Sequence, residues 1–388
     1  MDNQDEEGTT MCSANGRRRR SAVLLATAMA ATVALWGGAT GAVAGAETGA
    51  TEREWLDIRV FAEVPDPGHP EGITVADDGT VYVGTQQHIT EIPKGPSKIF
   101  AYDPGGHLTR EYVIEGQDPN RGAGIVGLAQ DGDGIVYALD RYPQRVIALD
   151  PRTGEQRDYA TFHQVKDLCV SLPALVLVTQ CVVPDGLTFG PDGSLYVTDV
   201  GQALIWRVPP GGGKAEVWFS DPRIESVLGA NGIAFVDEDT LMFAQTLTGP
   251  FDGPLPRVDT SKLYTLDIRP DGSPGALETF WQSKPLDGID GFAIAESGNI
   301  YIAMALAKSV VVVSPQGREI GRNPANLLEN QLQEVPFDDP ASVAFLDDRV
   351  LVTNHSLFLG NPNSFVVHDV YAGEKGKPEY RPIIRARS

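Results

Sequence analysis

Six segments of this 388-residue chain repeat one pattern, and that repetition limits the fold more than any other feature. They read PEGITVADDGTVYVGT from Pro70, IVGLAQDGDGIVYALD from Ile125 and PDGLTFGPDGSLYVTD from Pro184. Then come ANGIAFVDEDTLMFAQT from Ala230, IDGFAIAESGNIYIAM from Ile289 and PASVAFLDDRVLVTN from Pro340. The second residues of the six lie at 71, 126, 185, 231, 290 and 341, so the period runs from 46 to 59 residues. A period near 50 carrying short strands marks propeller blades. In the third repeat, LTF and LYVTD are apolar runs of strand length in residues that suit a pleat. Asp192-Gly193 between them is a favoured two-residue hairpin turn. ALIWRVPP, a glycine turn and KAEVWFS follow, which completes four antiparallel strands. The third strand recurs as SKIFAYDP, RVIALDP, KLYTLDI and SVVVVSP. One such sheet exposes two apolar faces, and stacking blades around an axis buries both. The expectation is an all-β, six-bladed β-propeller with four-stranded antiparallel blades, spanning residues 47–388. Two β-sandwiches would not explain one repeat along the whole chain. The 42 Gly and 28 Pro suit a fold with many tight turns. LDIRVFAEV (56–64) is placed to complete the last blade, and EYRPIIR (379–385) competes for the same place.

Residues 1–46 read as a secretory signal. Arg17 to Arg20 are followed by the apolar stretch SAVLLATAMAATVALW and then by small residues, with A-x-A sites at Ala42–Ala44 and Ala44–Ala46. The acidic lead-in DNQDEE is unusual for a signal and makes Met11 an alternative start. General secretory and twin-arginine export both fit, and an uncleaved membrane anchor is the competing reading. No other segment is apolar enough to cross a bilayer. The chain is therefore expected outside the cell. Cleavage removes four bases and four acids and leaves the formal charge at -21. That surface repels phosphate backbones, which argues against nucleic-acid binding. Cys12 leaves with the signal. Cys169 and Cys181 remain, an even count in an oxidising compartment, and are expected to form a disulfide; two separate thiols are the alternative.

In a propeller the innermost strand of each blade starts on one face, and the second strand returns to it. The residues opening the inner strands are Glu71, Val126, Asp185, Asn231, Asp290 and Ala341. Three carboxylates and a carboxamide from four blades thus point toward one axis. Gly72, Gly186, Gly232 and Gly291 follow them, which lets backbones approach closely. Taken singly, Asp-Gly and Asn-Gly are turns, but here they stand in register, separate from the hairpin turns. Converging carboxylates repel unless protonated or neutralised. A divalent cation is the simplest neutraliser, and hard oxygen donors favour calcium (Ca2+) or magnesium. Manganese and zinc are the remaining options, although no Cys or His belongs to the ring, against a structural zinc site. A second set (Thr85, Asp140, Arg141, Asp199, Gln245, Met304, Asn354 and His355) ends the second strands and is expected to line the funnel. Within it Arg141, Asn354 and His355 are candidates for a substrate rim; solvated loop residues are the competing reading for each. The long connections at 164–183, 220–229, 246–261, 321–339 and 356–365 fall on the same face, where such loops usually build a site or its lid.

The blade pattern xDGLxFxxDGxLYVTD and the four-residue ring resemble the senescence-marker-protein/gluconolactonase family, which includes luciferin-regenerating enzymes. The likeness covers nearly all of the chain after the signal. It implies one divalent metal in the channel and, for many members, lactone hydrolysis. By this resemblance Glu71 matches the N-terminal metal-binding Glu, and Asn231 in ANGIAF matches the Asn-Gly ligand. Asp290 in IDGFAI matches the Asp-Gly ligand and base, and Asp185 an acidic position near the metal. Where many members have Asn-Asp-Gly this chain has Pro184-Asp185-Gly186, which weakens the case for a sugar lactone. Strictosidine-synthase-like propellers use a Glu in the last blade, where this chain reads Pro340-Ala341-Ser342-Val343.

The functional expectation is a secreted, metal-dependent hydrolase of a lactone or related ester. Water attacks a metal-polarised carbonyl, with Asp290 as base and Asp185 as the second choice. No G-x-S-x-G elbow and no spare thiol offer a protein nucleophile. The alternatives are a non-catalytic ligand- or protein-binding propeller with a structural metal, and an isomerase or lyase that stabilises an enolate on that metal. The expected partner is a small molecule, with neither nucleic acid nor membrane beyond the signal.

Overall fold

A computed structural model describes residues 53–86, 95–117, 124–167, 170–172, 177–179, 181–226, 228–249, 259–358 and 360–384. Residues 1–46 and Cys169 lie outside these, so the signal segment and the Cys169–Cys181 disulfide remain expectations of the sequence. Six four-stranded antiparallel blades form a six-bladed propeller, the second of them widened by Gly213–Lys214 paired parallel beside its outer strand. Their inner strands are Pro70–Val75, Ile125–Gln130, Pro184–Phe189, Ala230–Asp237, Ile289–Ile294 and Pro340–Leu346 (blades I to VI). Asp192 and Gly193 do lie in the hairpin connection, but the turn is three residues long, Pro191 to Gly193, closed by the Gly190 amide on the Ser194 carbonyl at 2.9 Å, rather than the expected two. Gly193 has φ 77°, and the Asp192 carboxylate accepts from the Ser194 amide at 3.0 Å.

Ring closure falls to the N-terminal candidate. Ile58–Glu63 pairs antiparallel with Val366–Tyr371 as the outer strand of blade VI. The C-terminal candidate instead crosses the opposite face. Its Pro382 carbonyl accepts from Gly132 in blade II, and Arg381 pairs with Asp77 of blade I at 2.5 Å. Tyr380 meets Phe235 of blade IV edge-on at 5.6 Å.

The core consists of six apolar clusters, one in each seam between neighbouring blades. Trp206 with Tyr137 and Phe189 fills the seam between blades II and III; Phe100 with Val367 and Leu351 fills the closing seam between VI and I. This is why inner and middle strands are apolar on both faces while an outer strand such as Leu108–Val113 is mostly exposed.

The axis is shaped by a bulge repeated six times. In every blade the ladder between inner and second strand slips just after the inner strand's first residue, as between Pro70 and Ile73 or Ile289 and Phe292. A bulge re-aims the unpaired side chain. Here the re-aimed residues are the ring of six and their glycines. A Cβ on Gly232 would meet the Asp290 carbonyl at 2.7 Å and the Gly291 Cα at 3.0 Å; one on Gly186 would meet the Asn231 carbonyl at 2.8 Å. Gly127 joins the expected four, its Cβ position lying 2.9 Å from the Asp185 carbonyl. Backbone cannot yield as a side chain can. Gly232→Ala is therefore expected to destabilise by about 1–3 kcal/mol, the usual cost of overpacking. Urea unfolding that leaves the midpoint unmoved would show that the ring tolerates wider spacing.

Candidate functional site

The structure brings the ring together as expected. Glu71, Asp185 and Asn231 are buried and Asp290 is partly buried, each the second residue of its inner strand. Threonines of the second strands hold the ring backbone across seams. Thr198 Oγ1 donates to the Asn231 carbonyl at 2.6 Å, and Thr353 Oγ1 to the Glu71 carbonyl at 2.7 Å. The Asn231 carboxamide donates to Thr246 Oγ1 at 3.0 Å.

The second tier differs from expectation by one residue. Pro70, Ile125, Pro184, Ala230, Ile289 and Pro340 pair with Thr85, Asp140, Asp199, Gln245, Met304 and Asn354, and the side chains of this register turn back into the protein. Asp199 accepts from the amides of Val183, Gly201 and Gln202 and from the Trp206 indole. Asp140 is bound by Gln117 and Arg145. Asn354, expected at the rim, is fully buried. Its oxygen accepts from the Asp338 amide at 2.6 Å and its nitrogen donates to the Pro336 and Ser364 carbonyls, so it shapes loops rather than meeting a ligand. In four blades the residue after this position faces the ring instead, which retains Arg141 and His355 and adds Gln86 and Thr246. The alternation along a strand, applied from Arg141 and His355 to the other blades, would have found both.

Arg141 donates from Nη2 to Asp185 Oδ1 at 2.5 Å; with the Gln86 carboxamide turned so that its oxygen faces Arg141, the orientation its neighbours require, Nη1 donates to that oxygen at 2.5 Å. The Gln86 nitrogen donates to the Glu71 carboxylate and to His355 Nε2 at 3.2 Å, and that His355 nitrogen lies 3.8 Å from Glu71 Oε2. His69 stands behind, its Nδ1 3.1 Å from the His355 carbonyl.

One guanidinium does not balance three carboxylates. Burial, opposed by Arg141 but reinforced by Asp185 and Asp290, raises the Glu71 carboxyl well above its ordinary range. Burial also raises Asp185 against the pull of Arg141. Asp290 is pushed up to about 7 by burial and then by Asp185, with Arg141 and an Asn231 hydrogen bond opposing. Among the described residues no three His, Cys, Asp or Glu side chains are gathered as a ready metal cluster. The donor chemistry nonetheless fits a hard divalent cation: four oxygen-bearing side chains converge from four blades, and their net charge stays negative beside Arg141.

Solved structures place this architecture among known propellers. A calcium-binding protein, regucalcin, from Agrobacterium tumefaciens is 21% identical, with a TM-score of 0.58 over 85% of this chain and 98% of that one. A gluconolactonase from Xanthomonas campestris is 15% identical, with a TM-score of 0.54 over 82% and 91%. A luciferin-regenerating enzyme is 15% identical, with a TM-score of 0.53 over 84% and 99%. These are members of the family that the blade pattern and ring resemble, and at such identities the likeness is one of fold. No family model and no curated protein matches the chain.

Proposed function

We propose that the chain is an exported lactonase-type hydrolase whose active site is the ring at the channel mouth. The observation that supports this most is the convergence of Glu71, Asp185, Asn231 and Asp290 beside Arg141, buried at the axis of a fold shared with a gluconolactonase. Glu71, Asn231 and Asp290, with Asp185 in or next to them, are the residues that would hold a divalent cation, calcium first. Such a cation would supply Lewis-acid polarisation of a lactone carbonyl. Asp290 takes the proton from the attacking water. A cation held beside it would lower its carboxyl pKa, so the base would stay ionised and ready at neutral pH. Asp185 is the lesser candidate because Arg141 already holds one of its oxygens. Arg141 holds Asp185 in place from the second tier. Export rests on the N-terminal signal pattern.

The test is a panel of lactones, assayed with and without chelator; opening of none of them leaves the ligand-binding reading standing. A separate result is expected from heat. An ion that binds the folded ring and not the open chain stabilises by about 2.7 kcal/mol at a hundred times its Kd. Excess chelator should thus lower Tm by roughly 3–5 °C, at about 1–2 °C per kcal/mol for a domain this large. An unchanged melting curve, with no metal found by elemental analysis, would remove the metal from this reading.

A further inference from the structure

Blade II contributes no oxygen to the ring. Its ring position is Val126, and its second-tier residue is Arg141. That guanidinium reaches across two seams. It bonds Asp185 of blade III directly and, through the Gln86 oxygen, is linked to Glu71 of blade I. Among the described residues its Nε is buried without a hydrogen-bond partner. Arginine keeps its charge at any working pH and can bond two acceptors at once.

We propose that Arg141 is the ring's own cation: it holds the converging carboxylates together when no divalent ion is bound, and an arriving ion must share the ring with it. This deepens the reading of the ring as a divalent-cation site and rests on it. Two consequences of opposite sign follow. Without a metal, loss of the guanidinium leaves buried like charges facing one another, which destabilises the fold. With a metal, its loss removes a repulsive neighbour and tightens binding.

The experiment uses Arg141→Met, Arg141→Lys, Asp185→Asn and the double variant Arg141→Met/Asp185→Asn of the full chain. In chelator at pH 8, Arg141→Met is expected to melt below the wild type, and Arg141→Lys to recover much of the loss. Asp185→Asn is expected to lower Tm alone, by breaking the ion pair, and to raise it in the Arg141→Met background, by removing a stranded charge. By calorimetric titration with calcium, Arg141→Met is expected to bind at least tenfold more tightly than the wild type. An unchanged Tm for Arg141→Met in chelator, or Asp185→Asn effects of one sign in both backgrounds, overturns the proposal. Equal calcium affinity in both proteins also overturns it and leaves the metal reading intact. The expected melting pattern with no calcium bound by either protein supports Arg141 as the ring's cation and overturns the metal reading instead. Should Arg141→Met fail to fold, the double variant decides: rescue supports the proposal and failure overturns it.

Discussion

Asp290→Asn is expected to lower turnover of any lactone the protein opens by about 10²–10⁴-fold, the usual contribution of a placed general base. The substitution keeps the shape and an oxygen donor but removes the proton acceptor. Asp185→Asn should cost less, because Arg141 already holds one Asp185 oxygen at 2.5 Å. The ranking separates base from neighbour. Measured at saturating calcium, the Asp290 effect should sit in kcat, whereas loss of a positioning contact with Arg141 should sit mainly in KM. If both variants keep near-wild-type turnover, the carboxylate chemistry assigned to the ring is wrong.

The second large effect concerns ring closure. Deleting residues 53–64 removes the outer strand of blade VI. Leu56 and Val64, both buried, account for roughly 1.5–3 kcal/mol each. The deletion also breaks the Arg53–Asp369 ion pair at 2.7 Å and strands the Tyr371 carbonyl and amide, which pair with Leu56 and Asp57. Tm is expected to fall by roughly 5–10 °C at about 1–2 °C per kcal/mol for a domain this large. A synthetic peptide of residues 53–64 added in trans should restore part of the loss. A silent deletion would mean that another segment can take the place of this strand.

How much of this the sequence carried depends on the range of each interaction. The blades were legible because each is a local unit: apolar runs, an Asp-Gly turn and a recurring third strand lie within some fifty residues of one another. The ring was legible because it repeats with the blade. Closure was not decided by pattern, since LDIRVFAEV and EYRPIIR both look like strands; the structure pairs the first with residues more than 300 positions away. The second tier was misplaced by one residue because Asp140, Asp199 and Asn354 look functional. Their oxygens and nitrogens are spent on loop amides and carbonyls that only the folded chain brings near. The Arg141–Asp185 pair joins two blades, and no local signal announces a contact that exists only when the ring is closed.

The repeated bulge divides labour between adjacent residues. In five of the six inner strands the second residue faces the axis and the third sets the spacing: Glu71 with Gly72, Val126 with Gly127, Asp185 with Gly186, Asn231 with Gly232, Asp290 with Gly291. Because the backbone distance is set by the second letter of the pair, the first can change without moving its neighbours. Such a scaffold can exchange one reaction for another through a handful of substitutions at the axis, while the residues beside them are barred from change. Descendants of a protein built this way should vary in what they act on sooner than in how they fold.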